Sequence, residues 1–234
     1  MLPQIATPEY DMIVPSTGKP ITYRPYLVKE EKILLIALES EDDTQIENAV
    51  VRLIEDCVKD DIDVNMLTMF DVEYIFISLR SKSVGEGIKL RTKCESCDQP
   101  NEVKVNLDDV EIIGKDNTEV QTVKLSDDLS VVMHWPYVIN KLTTKEKTNQ
   151  VESIIAVVAK CIETIYYGED TYAAKDSTSR EVKEFVENLA SDQFEKLGDV
   201  IASMPYVSYD MNYKCEHCEQ ENHVELKGLS DFFT

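Results

Sequence analysis

Four of the six cysteines lie in two Cys-x-x-Cys pairs, a spacing that is typical of a metal site. The pairs are Cys94 with Cys97 and Cys215 with Cys218. A Cys-x-x-Cys turn directs two sulfurs to one point, and two such turns complete the tetrahedral shell of one Zn²⁺ ion. Because four thiolates leave no coordination position for water, the sequence predicts a structural zinc rather than a catalytic one.

The sequences around the two pairs repeat each other. Residues 93–103 read KCESCDQPNEV and residues 214–224 read KCEHCEQENHV. Lysine, both cysteines, glutamate, glutamine, asparagine and valine are identical in register, which indicates a duplicated strand, tight turn and strand. Zinc knuckles often have glycine after the second cysteine, whereas this chain has Asp98 and Glu219, so the turn geometry is open to question.

Two other chemistries remain open for these cysteines. An iron–sulfur centre also uses four thiolates, and spacing alone does not distinguish it from zinc. A thioredoxin-like redox pair needs its first cysteine at the start of an apolar helix. Both pairs here lead into polar turns and alternating strands, which favours the metal.

The remaining cysteines and the three histidines suit structural roles. Cys57 and Cys161 fall on apolar helix faces and are predicted to be buried small hydrophobes. We expect His217 and His223 on the surface, and His134, next to a tryptophan, packed at the end of a strand.

The composition excludes several classes of function. The chain has 234 residues and a net charge of −21, which argues against coating nucleic acid or adsorbing to an anionic membrane. It has no phosphate-binding loop, dinucleotide fingerprint or zinc-protease motif, so we expect no enzyme. No apolar run is long enough to span a membrane, and the N-terminus lacks a signal-peptide pattern, so we expect an intracellular protein with reduced thiols.

Hydrophobic periodicity predicts an α+β fold with a helical body and a small antiparallel β zinc ribbon made by the two separated knuckles. Helices are predicted at 27–39, 43–60, 65–82 and 144–167, with two short ones between 178 and 204, the first capped by Ser177 or Thr178. Asp43 or Thr44 is the predicted cap of the second helix. Strands are predicted at 103–107, 120–125, 129–133, 207–213 and 223–226, with a polar loop at 168–176.

These elements predict four regions. An extended, proline-rich arm covers residues 1–26, where it could wrap a partner or pack on its own domain. A helical region follows at 27–87. A discontinuous β and zinc-ribbon region combines 88–135 with 206–228, and a helical insert covers 142–205.

Three segments resemble the baseplate hub assembly proteins of T4-like contractile-tailed phages. They are PSTGK at 15–19, YRPYLVKEEKILLIALES at 23–40 and FDVEYIFISLRSKSVGE at 70–86. The paired Cys-x-x-Cys units are also similar to those of many such phage chains. The resemblance implies a non-enzymatic assembly factor, chaperone or hub subunit that contacts other baseplate hub proteins. It implies action in the host cytoplasm during assembly or presence in the virion, and it supplies no catalytic residues.

The charge adds an expectation about partners. A chain at −21 repels copies of itself and attracts basic surfaces. The alternative function is a zinc-ribbon regulator that binds nucleic acid, for which Lys89, Arg91, Lys93, Lys104 and Lys214 would have to form a basic face among neighbouring acids. A thiol or metal enzyme is a third hypothesis.

Overall fold

A computed structural model describes residues 6–40, 42–114, 120–138, 150–228 and 230–232. The chain divides into two compact units. Unit 1 contains residues 1–64, 70–115 and 205–234, and unit 2 contains residues 65–69 and 116–204. Unit 2 is therefore for the most part an insertion in the sequence of unit 1.

The described residues of unit 1 form three α-helices and short antiparallel sheets. Its elements are β1 (Tyr10–Ile13), β2 (Pro20–Tyr23), α1 (Val28–Glu39), α2 (Asp43–Cys57), α3 (Met69–Val84, whose first residue is assigned to unit 2), β3 (Gly87–Lys93), β4 (Pro100–Asn106), β5 (Glu111–Ile113), β10 (Tyr206–Lys214) and β11 (Glu221–Lys227). Strands β1 and β2 form one hairpin, β3 and β4 a second, and β11, β10 and β5 a three-stranded sheet in that order. The antiparallel pairing and the helices agree with the mixed class predicted from periodicity.

The proline-rich N-terminal segment packs on its own chain. Val14, Ile21 and Tyr23 are buried. The Ser16 backbone N–H and hydroxyl donate to the Asp71 carboxylate of α3 at 2.9 and 2.6 Å. The apolar side chains of this part of the segment therefore lie in the core of unit 1.

Helix α3 supplies much of that core. Ile75, Phe76, Ile77 and Leu79 are all at most 2% exposed, so the helix is apolar on most of its circumference. A helix that is hydrophobic all round is stable only when it is buried, and this burial overrides the unfavourable helix propensity of the β-branched residues.

In the described part of unit 2, a four-stranded antiparallel sheet packs against three helices. Its elements are β6 (Val120–Lys124), β7 (Leu129–His134), α4 (Gln150–Cys161), β8 (Ile162–Tyr167), β9 (Asp170–Ala173), α5 (Ser179–Glu187) and α6 (Ser191–Ala202). The strand order is β6-β7-β8-β9. Its core contains Met133, Val158, Val186 and Leu197, contributed by one strand and all three helices.

Two predictions in unit 2 are wrong. The predicted helix at 144–167 ends at Cys161, and Ile162–Tyr167 is strand β8; residues 144–149 lie outside the described residues. The predicted loop at 168–176 contains strand β9 and a 3₁₀ turn at Ala174–Asp176. Apolar residues from 154 to 165 fit a helical period, but residues 162–167 are rich in β-branched and aromatic side chains that gain more from pairing with β7 and β9.

The helix caps were predicted with mixed success. Asp42, not Asp43 or Thr44, caps α2, because its carboxylate accepts from the backbone N–H groups of Thr44 and Gln45. Thr178 caps α5 as predicted, in a capping box with Glu181.

Among the described residues, no helix has both the length and the apolar character needed to cross a bilayer.

Candidate metal centre

The two Cys-x-x-Cys turns lie at the tips of two hairpins in unit 1. Cys94 and Cys97 belong to the β3–β4 hairpin, in which Lys93 pairs with Pro100. Cys215 and Cys218 belong to the β10–β11 hairpin, in which Lys214 pairs with Glu221. The turns bring the four sulfurs together although the two pairs are about 120 residues apart in the sequence. Cys94 and Cys218 are separated by 124 positions, and Cys97 and Cys215 by 118 positions. Within the described ranges, this is the one cluster of at least three potential metal ligands.

The sulfur separations match a single tetrahedral ion. Cys94 Sγ lies 3.6 Å from Cys218 Sγ, and Cys97 Sγ lies 3.7 Å from Cys215 Sγ. All four sulfurs lie within 4.8 Å of one another. A tetrahedron with Zn–S bonds of about 2.3 Å has sulfur–sulfur edges of about 3.8 Å. Because thiolates of an iron–sulfur cluster bind different iron atoms and must spread around the cluster, these distances fit one ion better. The four cysteines can therefore hold a metal ion.

The thiol pKa values divide into two pairs. Burial raises the pKa of Cys215, but the backbone N–H groups of Cys218 and His217 outweigh it, with a further contribution from Asn101, and lower the pKa to about 6. Burial is likewise outweighed at Cys94, whose pKa is lowered by the N–H groups of Cys97 and Ser96.

The second cysteine of each pair behaves in the opposite way. The Gln99 backbone N–H lowers the pKa of Cys97, but burial and the neighbouring thiols prevail and raise it to about 12. The pKa of Cys218 is also raised: the Gln220 N–H lowers it, while burial and the sulfurs of Cys94 and Cys215 raise it. Four negative charges cannot share this volume unless a cation neutralises them, which is the electrostatic condition that a divalent metal meets.

The two knuckles have nearly the same backbone hydrogen bonds. The Cys94 N–H donates to the Gln99 carbonyl at 3.0 Å, and the Cys215 N–H donates to the Gln220 carbonyl at 2.8 Å. Asp98 and Glu219 have φ of 55° and 58°, the left-handed conformation that glycine adopts at this position of many knuckles. The missing glycine therefore does not change the turn, and the sequence repeat is a structural repeat.

Sequence reasoning missed two residues of the site, Asn101 and Asn222. They occupy the same position of the repeat and are 4% and 5% exposed. Each side chain accepts a hydrogen bond from the backbone of the opposite knuckle. The signal was present in the sequence, because a polar residue that is identical in both copies of a short repeat has a shared structural task.

The other predicted residues have the expected locations. Cys57 and Cys161 are fully buried, and burial raises their thiol pKa values to about 11 and about 12. His217 and His223 are exposed. The half-buried ring of His134, at the end of β7, stacks on Tyr137 with 4.5 Å between ring centroids.

Comparison with known proteins decides the family. The sequence model of a family described as T4 bacteriophage base plate protein matches residues 7–234. The chain belongs to this family. The resemblance drawn from the three N-terminal segments is thereby confirmed.

A curated relative of this T4 base plate family covers almost the same length. The protein named baseplate hub assembly protein gp26, from Enterobacteria phage T4, is 23% identical over 226 residues. The alignment includes 96% of this chain and 98% of the relative. No solved structure matches the chain. The family is described by its place in the base plate, and the relative is named for assembly of the baseplate hub.

Proposed function

We propose that this base plate protein is a non-enzymatic assembly factor of the tail baseplate hub, stabilised by a structural Zn²⁺ bound to Cys94, Cys97, Cys215 and Cys218. The observation that carries the proposal is the end-to-end alignment with a protein named for baseplate hub assembly. Its partners are other baseplate hub proteins with basic surfaces, and it acts in the host cytoplasm while the baseplate is built.

Helix α1 supports a role in protein contacts. Leu34 and Ala37 face the core, whereas Val28, Leu35 and Ile36 on the other side are 80%, 53% and 56% exposed. A helix with apolar residues on both faces is typical of a buried helix. The exposed side, which we call the outer face of α1, is suited to contact a hub protein whose basic rim complements a chain of net charge −21.

The knuckles are poorly suited to nucleic acid, the alternative function. Lys93 lies 3.9 Å from the Asp98 carboxylate, and Lys214 lies 3.1 Å from that of Glu219. Lys89 pairs with Glu102. Three of the five basic residues that would form a phosphate-binding face are thus paired with acids, and four metal-bound thiolates add two further negative charges to the region.

Co-expression of the full chain with the hub proteins of its own phage tests the proposal. We expect at least one hub protein to co-purify in stoichiometric amount, with an association rate that falls as salt is raised. The double change Leu35→Asp/Ile36→Asp should abolish recovery, whereas Val84→Asp, at another residue of similar exposure (60%), should not. Recovery of no hub protein, or equal loss with both variants, would contradict the proposal. Mass spectrometry of purified particles then tells a retained hub subunit from a factor that leaves.

A further inference from the structure

Asn101 and Asn222 connect the two knuckles in a reciprocal manner. The Oδ1 atom of Asn101 accepts from the Glu216 backbone N–H at 2.9 Å. The Oδ1 atom of Asn222 accepts from the Glu95 backbone N–H at 3.1 Å. Each asparagine follows its own knuckle and bonds to the residue after the first cysteine of the other knuckle, so the pair has approximate two-fold symmetry.

The other end of each amide bonds to its own knuckle. The Nδ2 atom of Asn101 donates to the Gln99 carbonyl at 2.9 Å, and that of Asn222 donates to the Gln220 carbonyl at 2.9 Å. These carbonyls also accept from the N–H groups of the first cysteines, Cys94 and Cys215. Each amide therefore spans from the turn that orients one cysteine pair to the turn that orients the other.

Burial makes these bonds hard to replace. Both side chains are almost inaccessible, and a buried amide that loses its partners is destabilising because water cannot take their place. A shorter side chain would leave the Glu216 or Glu95 N–H without its acceptor. The geometry of the two knuckles thus depends on the amide group and not only on the cysteines.

Asn101 also reaches a sulfur. Its Nδ2 atom lies 3.5 Å from Cys215 Sγ, within reach of a weak N–H···S hydrogen bond. Donors directed at ligand atoms orient them and tune their charge, and such outer-shell partners are typical of metal sites.

We infer that Asn101 and Asn222 are positioning residues that hold the two knuckles in register and direct the four thiolates to one point. The metal part of this inference rests on the proposed zinc site, whereas the cross-knuckle bonds do not. We call these two asparagines and their cross-knuckle bonds the clasp. The clasp joins two segments of unit 1 that are separated in sequence by residues 116–204.

Hydrogen exchange of the full chain tests the cross-knuckle bonds, with or without metal. In Asn101→Ala, the Glu216 amide should exchange at least 10-fold faster, although it is 115 residues away in sequence. In Asn222→Ala, the Glu95 amide should respond in the same way. Gln99→Ala is the matched control, because this repeated residue has an exposed side chain and bonds through its backbone carbonyl. Unchanged exchange at the opposite knuckle would overturn the clasp.

Metal affinity tests the positioning role. Competition with a chromophoric chelator should show Zn²⁺ binding weakened by about 10- to 100-fold in each alanine variant and unchanged in Gln99→Ala. Asn101→Asp separates the two tasks. It keeps an acceptor for the Glu216 N–H, so protection at that amide should recover, but it places a negative charge beside Cys215, so metal binding should remain weak.

The outcomes distinguish the two proposals. If the wild-type chain binds neither Zn²⁺ nor Co²⁺ while the cross-knuckle exchange effects appear, the zinc site is wrong and the clasp stands. If the wild-type chain binds metal and the alanine variants bind it equally tightly, with the same Co²⁺ thiolate charge-transfer spectrum, the positioning role is wrong and the zinc site stands. Far-UV circular dichroism at the temperature of each assay confirms that the compared variants are folded.

Discussion

Removal of the proposed zinc ion should destabilise unit 1 far more than the loss of one side chain would suggest. The perturbation is the double change Cys97→Ser/Cys218→Ser, which removes the more solvent-accessible ligand of each knuckle. The buried Cys94 and Cys215 stay in place, so the core beneath the knuckles is not altered. Two serines do not replace two thiolates at zinc, so the ion should no longer join the hairpins.

The expected magnitude follows from the length of chain that the ion closes. The ligand pairs are 118 to 124 residues apart. In the chain-entropy treatment of a cross-link, closing a loop of this length lowers the conformational entropy of the unfolded chain and so raises its free energy by about 5 kcal/mol. Because metal binding is linked to folding, we expect the variant, or the chelated wild type, to lose an amount of this order from the free energy of unfolding of unit 1.

Urea unfolding followed by hydrogen exchange is the suitable assay, because a chain with two units need not unfold in one transition. Amides in β3, β4, β10 and β11 report unit 1, and fluorescence of the sole tryptophan, Trp135, reports unit 2. Ser96→Ala, an exposed position between the first two ligands, is the control and should behave as wild type. Equal stability of wild type, chelated wild type and the double variant would refute the reasoning, as would native mass spectrometry that finds no metal on the wild type.

Three further predictions concern the two units. Leu197→Ala, in the core of unit 2, should cost about 2 to 5 kcal/mol, seen as an earlier Trp135 transition in urea; an unchanged midpoint would contradict the packing. Thr178→Ala should cost about 1 kcal/mol in the same assay by removing the cap of α5, and a neutral effect would show that the capping box contributes nothing. At Glu30, burial raises the pKa, but hydrogen bonds from Arg24, from the Leu27 N–H and from a neighbouring lysine outweigh it and lower the pKa below its usual 4.5. The charged form therefore contributes stability above pH 4.5 that is lost as the pH falls through the folded-state pKa, so Glu30→Gln should flatten the acid limb of the stability profile, and an unchanged limb would contradict this role.

The elements that were predicted correctly have either a single clear period of apolar residues or a strong local signal such as a helix cap. The capping box of helix α5 is formed by Thr178 and Glu181, which are three residues apart. This spacing is visible in the sequence. The strand Ile162–Tyr167 was missed because a helical period continued across it, and only pairing with β7 and β9 made the strand the better solution. The β-branched and aromatic residues of this segment favour a strand, but the prediction followed the helical period of the apolar residues instead.

The amino-acid sequence is sufficient to identify the four candidate metal ligands, their division into two equivalent knuckles, the acidic charge and the resemblance to phage base plate proteins. These depend on residue identity and short spacing, which need no fold to be read. Only the tertiary structure brought Cys94 within 3.6 Å of Cys218 and joined Asn101 to the opposite knuckle, because no local rule relates residues more than 100 positions apart. Their approach is decided by the two hairpins of unit 1. The sequence repeat marks both asparagines, but only the fold shows that each one bonds to the opposite knuckle.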